Sequence, residues 1–327
     1  MSLRQRLLAT LSDGGFHSGE ALGAALGVSR MAVWKHIKAL RERGVAVEVV
    51  RGKGYRLPAS IELLDSAAIT ALMAPAVASG LGPVHVFHEL DSTNSWLCQQ
   101  SLADAPSGSV CLAEMQSAGR GRRGKHWVSP FAANLYLSLL WRSPAGAAGL
   151  GGLSLVAGIA VLRCLRAQGI ETVGLKWPND ILAGDAKLAG ILIDVLGEST
   201  GPCAVILGVG INVCMPAPAG DVIEQRWTDL QRLSGTGTVP SRNRLAASLL
   251  EQLLPAVAEF EVAGLQPFLE EWRRHDVVAG CAVDLHLPGG TVTGTACGID
   301  EGGALLVDTL QGRRRFASGE VSVRVAS

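Results

Sequence analysis

Two apolar stretches, 110–115 and 134–141, flank the segment that most constrains this chain. It reads Gln116-Ser117-Ala118-Gly119-Arg120-Gly121-Arg122-Arg123-Gly124-Lys125-His126-Trp127, with glycines at 119, 121 and 124 and cations at 120, 122, 123 and 125. That many charges cannot be buried without anionic partners. Glycine frees the backbone to adopt positive φ and to approach a ligand closely. The segment is therefore a loop, and the apolar stretches beside it are strands of a sheet. Arginine forks suit phosphate and carboxylate oxygens, and Trp127 offers a flat face to a purine ring. Gly119 to Gly124 also spells G-x-G-x-x-G. The dinucleotide reading is rejected, because that fingerprint opens a helix, whereas 134–141 reads as a strand. The string does not end in the G-K-[ST] of a P-loop. On residues alone, a bare basic surface loop remains the alternative.

Around this loop, strands alternate with helices. Strands are expected at 84–90, 110–115, 134–141, 172–177, 188–195 and 204–213, and helices from Asp91-Ser92-Thr93-Asn94 through about 101, at 153–166 and at 242–260. The mixture predicts an α+β sheet domain. Lys176-Trp177-Pro178-Asn179-Asp180 interrupts one strand with polar groups, and Lys187-Leu188-Ala189-Gly190-Ile191 opens the next after a Gly184-Asp185 turn. The hairpin so formed gathers Lys176, Asn179, Asp180 and Lys187 at one end, where an anion would offset the cost of burying lysines. Gly208-Val209-Gly210-Ile211-Asn212 ends a further strand with room for a ligand or a bulge.

The first sixty residues differ in kind. They hold ten Lys/Arg against four Asp/Glu, a net of +6 in a chain whose overall charge is zero. Leu3, Leu7, Leu8 and Leu11 recur at helical spacing and Asp13-Gly14-Gly15 stops them. Ser18 is a candidate cap for a helix ending at Leu26, Gly27 turns the chain, and Ser29 caps a third helix that runs to Arg43 and stops at Gly44. That helix turns Val33, Ile37 and Leu40 inward. An apolar stretch at 45–50, the turn Arg51-Gly52-Lys53-Gly54 and Tyr55-Arg56-Leu57 then make a basic hairpin. Helix, glycine turn, basic helix and hairpin form a winged helix-turn-helix. A helix end and a hairpin tip can grip phosphates on both sides of a major groove. The candidates are Ser18, Ser29, Arg30, Trp34, Lys35, Lys38, Arg51 and Lys53. Trp34 either packs under the wing or touches DNA. A three-helix protein-binding module is the alternative. Pro58-Ala59-Ser60 begins a linker, and 61–80 is a short helical connection.

Composition narrows the function classes. The chain has 327 residues, 48% of them apolar, which suits two or three domains with sizeable cores. No uninterrupted run of about 18 apolar residues occurs, so no membrane span is expected. The N-terminus turns polar too quickly for a secretory signal, which points to the cytoplasm. Seven scattered cysteines, an odd number without a C-x-x-C pair, argue against a disulfide framework or a zinc site.

Asp91-Ser92-Thr93-Asn94, the glycine–arginine string at 119–124, Lys176 to Asp180, Lys187 to Ile191 and Gly208 to Asn212 resemble, in order, the motifs of biotin–protein ligases. The string at 119–124 and the Lys-Trp-Pro-Asn-Asp motif are highly specific. Residues 17–30 with 52–57 resemble the DNA-binding domain of the bifunctional type, the biotin operon repressor. Residues 276–327, with Gly298-Ile299-Asp300 and Gly319-Glu320-Val321-Ser322, resemble its SH3-like C-terminal barrel, and their short alternating strands suggest a small barrel independently. The resemblance covers the whole chain and implies three units: a winged helix (1–60), a linker with a catalytic domain of mixed sheet, of the biotin/lipoate ligase type (61–275), and the SH3-like domain (276–327).

The resemblance further implies that biotin and ATP form biotinyl-5′-AMP, and that biotin then passes to a lysine of a biotin carboxyl carrier protein. Ser92, Thr93, Asn94 and Gln116 would hold biotin, with Gly119 and Gly190 allowing close packing. Arg120 and Lys187 would meet its carboxylate. Arg122, Arg123, Lys125, Trp127, Lys176, Asn179 and Asn212 would serve the nucleotide. Lys187, Arg120, Arg122 and Asp180 would be catalytic, with Asp180 orienting or deprotonating the incoming amine. Mg²⁺ would arrive with ATP, near Asp180, without a metal site of the protein's own. Operator DNA and homodimerisation on loading with the adenylate, through edge-to-edge sheet contact, are also implied. Lys125 stands where the family often has arginine, so charge is kept and the fork lost. The rivals are a lipoate–protein ligase and a catalytically silent biotin-sensing repressor.

Overall fold

The computed structural model describes residues 3–42, 45–57, 61–144, 146–198, 200–235, 239–287, 289–318 and 322–325. Arg43 and Gly44, expected to end the third helix, lie outside them, as do Pro58-Ala59-Ser60 of the linker and Gly319-Glu320-Val321 near the C-terminus. The first unit is the winged helix the residues predict. Helices α1 (Leu3–Leu11), α2 (Gly19–Leu26) and α3 (Arg30–Glu42) precede the wing strands β1 (Glu48–Val50) and β2 (Gly54–Arg56). Ser18 Oγ caps α2 by accepting from Ala21 N, and Gly27 closes it at φ 71°, where glycine escapes the Cβ penalty. Ser29 Oγ accepts from Ala32 N at 3.2 Å and starts α3. Leu7, Leu11, Leu22, Val33, Ile37, Leu40 and Leu57 build a core of its own.

Residues 61–65 lead into α4 (Ser66–Leu72) and α5 (Pro75–Ala78). A buried ion pair anchors this connection. Arg242 and Glu114 meet at 2.7 Å with side chains 6% and 1% exposed. Glu114 also accepts from Leu64 N, and Glu62 accepts from Ser241 Oγ and Arg242 N. The desolvated charges are thus bonded on several sides, which such a pair requires.

The central domain is a seven-stranded mixed sheet. Its strands are β3 (Val84–Phe87), β4 (Val110–Ala113), β5 (Leu135–Ser143), β6 (Gly174–Lys176), β7 (Asp180–Ala183), β8 (Ala186–Gly197) and β9 (Cys203–Ile211), in the order β3-β4-β5-β9-β8-β7-β6. Among the described residues of this sheet, only the β3–β4 pair is parallel. The expected strand at 84–90 is shorter than its apolar pattern, ending at Phe87, with a single bridge from Leu90 to Gln116. Helix α6 (Thr93–Leu102) starts at the cap Ser92, and α7 (Leu153–Ala167) packs in the core. The stretch Ala147–Ala167 is long and apolar enough to cross a membrane by length and composition, yet 61% of its most apolar window is buried inside the protein. Short helices α8 (Ala217–Gly220) and α9 (Leu230–Ser234) lead to α10 (Arg242–Ala263) and α11 (Leu269–His275). The last unit is a five-stranded antiparallel sheet of β10 (Ala282–Leu287), β11 (Gly290–Ile299), β12 (Leu305–Thr309), β13 (Gly312–Phe316) and β14 (Ser322–Val325), ordered β13-β12-β11-β10-β14. Its Val283, Leu285, Leu305, Val307 and Phe316 join the same apolar core as the central sheet.

Candidate functional site

The basic loop between β4 and β5 is a tight hairpin folded onto the sheet. Gly119 O accepts from Trp127 N at 2.9 Å, and Gly121 N donates to Lys125 O at 2.7 Å. At the tip Arg123 takes φ 58° and Gly124 φ 72°; the left-handed conformation is strained for arginine. The loop, Leu192 and Asp194 line a cleft of about 440 Å³.

Three of the loop's four cations meet polar partners. Arg120 forks onto Asp194 of β8 through two bonds of 3.1 Å. Arg122 donates to Asn179 Oδ1 at 3.2 Å and to the carbonyl of Ser318. Arg123 donates to the His286 carbonyl at 3.3 Å. The C-terminal sheet therefore backs the loop. Trp177, buried in the Lys-Trp-Pro-Asn-Asp segment, reaches the same domain by donating to Gly303 O at 3.0 Å.

Three glycines on neighbouring strands explain how side chains settle on the sheet. Register pairs Gly190 with Gly210, and Leu192 with Gly208. A Cβ on Gly210 would come within 2.6 Å of the Trp127 ring, and one on Gly190 within 3.1 Å of both Trp127 and Lys187. A Cβ on Gly208 would lie 2.2 Å from Asn94 Oδ1. The glycines thus form a flat floor for Trp127 and Asn94. Trp127 Nε1 is buried there without a hydrogen-bond partner, a donor facing the floor.

The β6–β7–β8 hairpin gathers the expected cluster. Lys176 and Asp180 are cross-strand partners, and Lys187 Nζ lies 2.6 Å from Asp180 Oδ1 with side chains 16% and 19% exposed. The lysine ammonium also stands 5.3 Å from the Trp127 ring centroid. Burial pulls Lys176 below the ordinary lysine range, opposed by Asp180 and reinforced by Lys187. Burial likewise lowers Arg122, against the attraction of Asp180. Asn179 holds the hairpin by donating to Ile191 O at 2.7 Å.

A second network lines the start of α6. Gln116 Oε1 accepts from Thr93 N at 2.9 Å and from Thr93 Oγ1 at 3.2 Å, while Gln116 Nε2 donates to Ser129 Oγ. Ser138 Oγ lies 2.7 Å from Thr93 Oγ1 and 2.6 Å from Asn94 Oδ1. Asn94 Nδ2 reaches Asp194 at 2.9 Å. Asp194 therefore joins the loop's Arg120 to the Asn94, Thr93 and Gln116 network. Sequence reasoning missed Asp194, Ser138 and Ser129. The available signal was a polar residue inside an apolar strand: Ser138 within 135–141 and Asp194 within 191–196.

The structure also shows what Asn212, Ser18, Ser29 and Trp34 meet. Asn212 is buried, with its amide donating to Thr228 O at 3.0 Å and Lys187 O at 3.5 Å, so it braces the Lys187 segment and does not face outward. Ser18 and Ser29 spend their hydroxyls on helix caps. Trp34 does not pack under the wing: it is 45% exposed on α3. The remaining DNA-facing candidates lie in the open, Arg30 and Lys38 with side chains 72% and 60% exposed. Arg51 and Lys53 are exposed in the wing turn.

Comparison with known proteins places these features. The model of the Biotin/lipoate A/B protein ligase family matches residues 86–212, the HTH domain 3–56, and the Biotin protein ligase C terminal domain 280–324. The Bifunctional ligase/repressor BirA of Salmonella typhimurium is 43% identical over 98% of this chain and 97% of its own, and that of Escherichia coli 42% identical over the same shares. The solved Biotin protein ligase from Aquifex aeolicus in complex with biotin and ATP is 28% identical, with a TM-score of 0.64, across 75% of this chain and 99% of its own.

Proposed function

This chain belongs to the biotin protein ligase family, in the bifunctional form that joins a ligase to a DNA-binding repressor domain, and from that premise we propose how its residues divide the work. The protein activates biotin with ATP and transfers it to a carrier, and its winged helix represses transcription. A biotin carboxylate oxygen attacks the α-phosphorus of ATP, and the bond to pyrophosphate breaks. The lysine amine of a biotin carboxyl carrier protein then attacks the acyl carbon, AMP leaves with the bonding electrons, and the amine loses a proton. Neither step needs a covalent enzyme intermediate. Positioning and neutralisation of phosphate charge supply the rate.

The gathering of Arg122, Lys176 and Lys187 about Asp180, beside the cleft that Arg120 and Arg122 line, is the observation that carries this reading. Gln116, Thr93 and Asn94 supply donors and acceptors for the ureido ring of biotin, while the glycines at 190, 208 and 210 seat Trp127 and Asn94 beside it. Lys187, ion-paired with Asp180, exchanges that partner for the carboxylate and the reacting phosphate. That exchange frees Asp180 to orient the incoming amine. Arg122 reaches across from the loop to the hairpin and clamps the adenylate. Asn212 acts through Lys187, by bracing its backbone. Asp180 offers a single carboxylate already engaged with lysine, and among the described residues no cluster of three His, Cys, Asp or Glu could hold a metal. Mg²⁺ would accordingly ride on the triphosphate, neutralising its oxygens, with Asp180 at most one ligand.

The loaded protein pairs with a second copy through β8. Ile191 still meets Asn179 through its N–H and its carbonyl; beyond it the strand pairs with β9 but not with β7, which leaves an edge at residues 192–197 for strand addition. Of the division into 1–60, 61–275 and 276–327, the separate winged-helix core supports the first boundary, while the last unit shares the apolar core of the second. Work on a carrier protein and an operator fits a cytoplasmic protein.

The test is pyrophosphate exchange into ATP. Biotin should drive it, and lipoate should not. Exchange that follows lipoate would make the chain a lipoate–protein ligase. No exchange, with operator binding intact, would leave a silent repressor.

A further inference from the structure

The helix offered to DNA carries an apolar patch on its open face. Val33, Ile37 and Leu40 of α3 fill the winged-helix core. Met31 and Trp34, by contrast, are 61% and 45% exposed. They stand three residues apart, neighbours on one helical face, within the first turn and a half. Arg30 precedes them, exposed Lys35 adjoins them, and the Lys38 ammonium sits 5.7 Å from the Trp34 ring centroid.

That charged frame selects the occupant. A B-DNA major groove has phosphates on both rims, and on its floor the one apolar group is the thymine C5-methyl. Recognition helices enter with their N-terminal residues against base edges, and Met31 and Trp34 occupy that end. Helix α3 has no asparagine or glutamine, the side chains that pair with the adenine edge. Its polar readers are Arg30 and Lys35, which suit guanine. We propose that Met31 and Trp34 read thymine methyl groups, so that each operator half-site of this protein carries thymines beneath the patch, beside guanines met by Arg30 or Lys35. The inference rests on the DNA-binding reading above and deepens it by naming the bases.

The test begins with a randomised duplex library, selected by the full-length protein in the presence of biotin and ATP. The selected half-site should contain such thymines. Replacing them with deoxyuridine removes only the methyl and should weaken binding about 3- to 5-fold per site. In a Met31→Ala/Trp34→Ala variant the same replacement should have no effect, while the slope of log affinity on log salt stays that of the wild type, because the phosphate contacts survive. Equal affinity of the wild type for thymine and deoxyuridine duplexes would overturn the assignment. So would selection of the same half-site by the double variant, or a double variant that loses self-association while keeping its sensitivity to deoxyuridine. If the wild type selects no sequence even at low salt, the DNA-binding reading falls, and this inference with it.

Discussion

The winged helix and the catalytic cleft are both rich in cations, and they hold them in opposite ways. On the winged helix, Arg30 and Lys38 stand with side chains 72% and 60% exposed, and their carboxylate neighbours lie at 3.7 and 3.8 Å on equally open side chains. Such pairs contribute little, and salt screens them. In the cleft, Lys187 is 16% exposed and 2.6 Å from Asp180, and Arg120 forks onto Asp194, itself 20% exposed. There the protein supplies its own anions, and in the proposed mechanism a substrate exchanges with them. On the proposed reading the first surface binds by releasing counterions, and the second by replacing internal carboxylates in a site already shaped.

That contrast can be broken most severely at Lys187. Lys187→Ala should cut biotin-dependent pyrophosphate exchange about 100- to 1,000-fold. Activity near wild type would mean that the internal ion pair is structural and has no part in phosphate chemistry. Next comes salt. If Arg30, Lys35, Lys38, Arg51 and Lys53 each neutralise a phosphate, DNA affinity should fall on the order of 100- to 1,000-fold between 50 and 200 mM salt. Adenylate retention, measured by filter binding over the same range, should change only a few-fold. Equal slopes would erase the distinction between the two surfaces. Third, Arg122→Ala should speed release of the adenylate and slow single-turnover ligation about 10- to 100-fold. Wild-type behaviour would show that its bonds to Asn179 and Ser318 only tether the loop.

The smallest effect belongs to Lys176. Burial holds its folded pKa below the ordinary 10.5. The unfolded chain therefore binds this proton more tightly, so the charged lysine costs stability below the folded value. That cost fades as pH rises from the folded value toward 10.5. Lys176→Met should raise Tm by about 1–3 °C at pH 7, and the gain should shrink as pH rises from the folded value toward 10.5. A lower Tm at pH 7 would mean that the cation is well partnered in the fold.

Local pattern carried most of the architecture. The caps at Ser18, Ser29 and Ser92 appeared where a short polar side chain precedes an apolar repeat, because a helix start needs acceptors for its free N–H groups. The basic loop was legible because glycine and arginine together are costly anywhere but a surface or an anion site. Lys187 and Asp180 came together as expected, since a hairpin register is set by its turn.

The sequence by itself determined which segments are helix, strand and loop, and which of them carry charge, because those depend on spacing and on the chemistry of each side chain. Tertiary structure alone decided what each charge meets. Asp194 lies 74 positions from Arg120, and Ser138 lies 45 from Thr93. No periodicity in a one-dimensional string encodes such pairs, because sheet order and register make them neighbours. The same reason kept hidden that Trp177 and the arginine loop lean on the C-terminal sheet, and that Trp34 faces water. Exposure is a property of the packed whole, and a tryptophan in a helix reads alike whichever side the core takes.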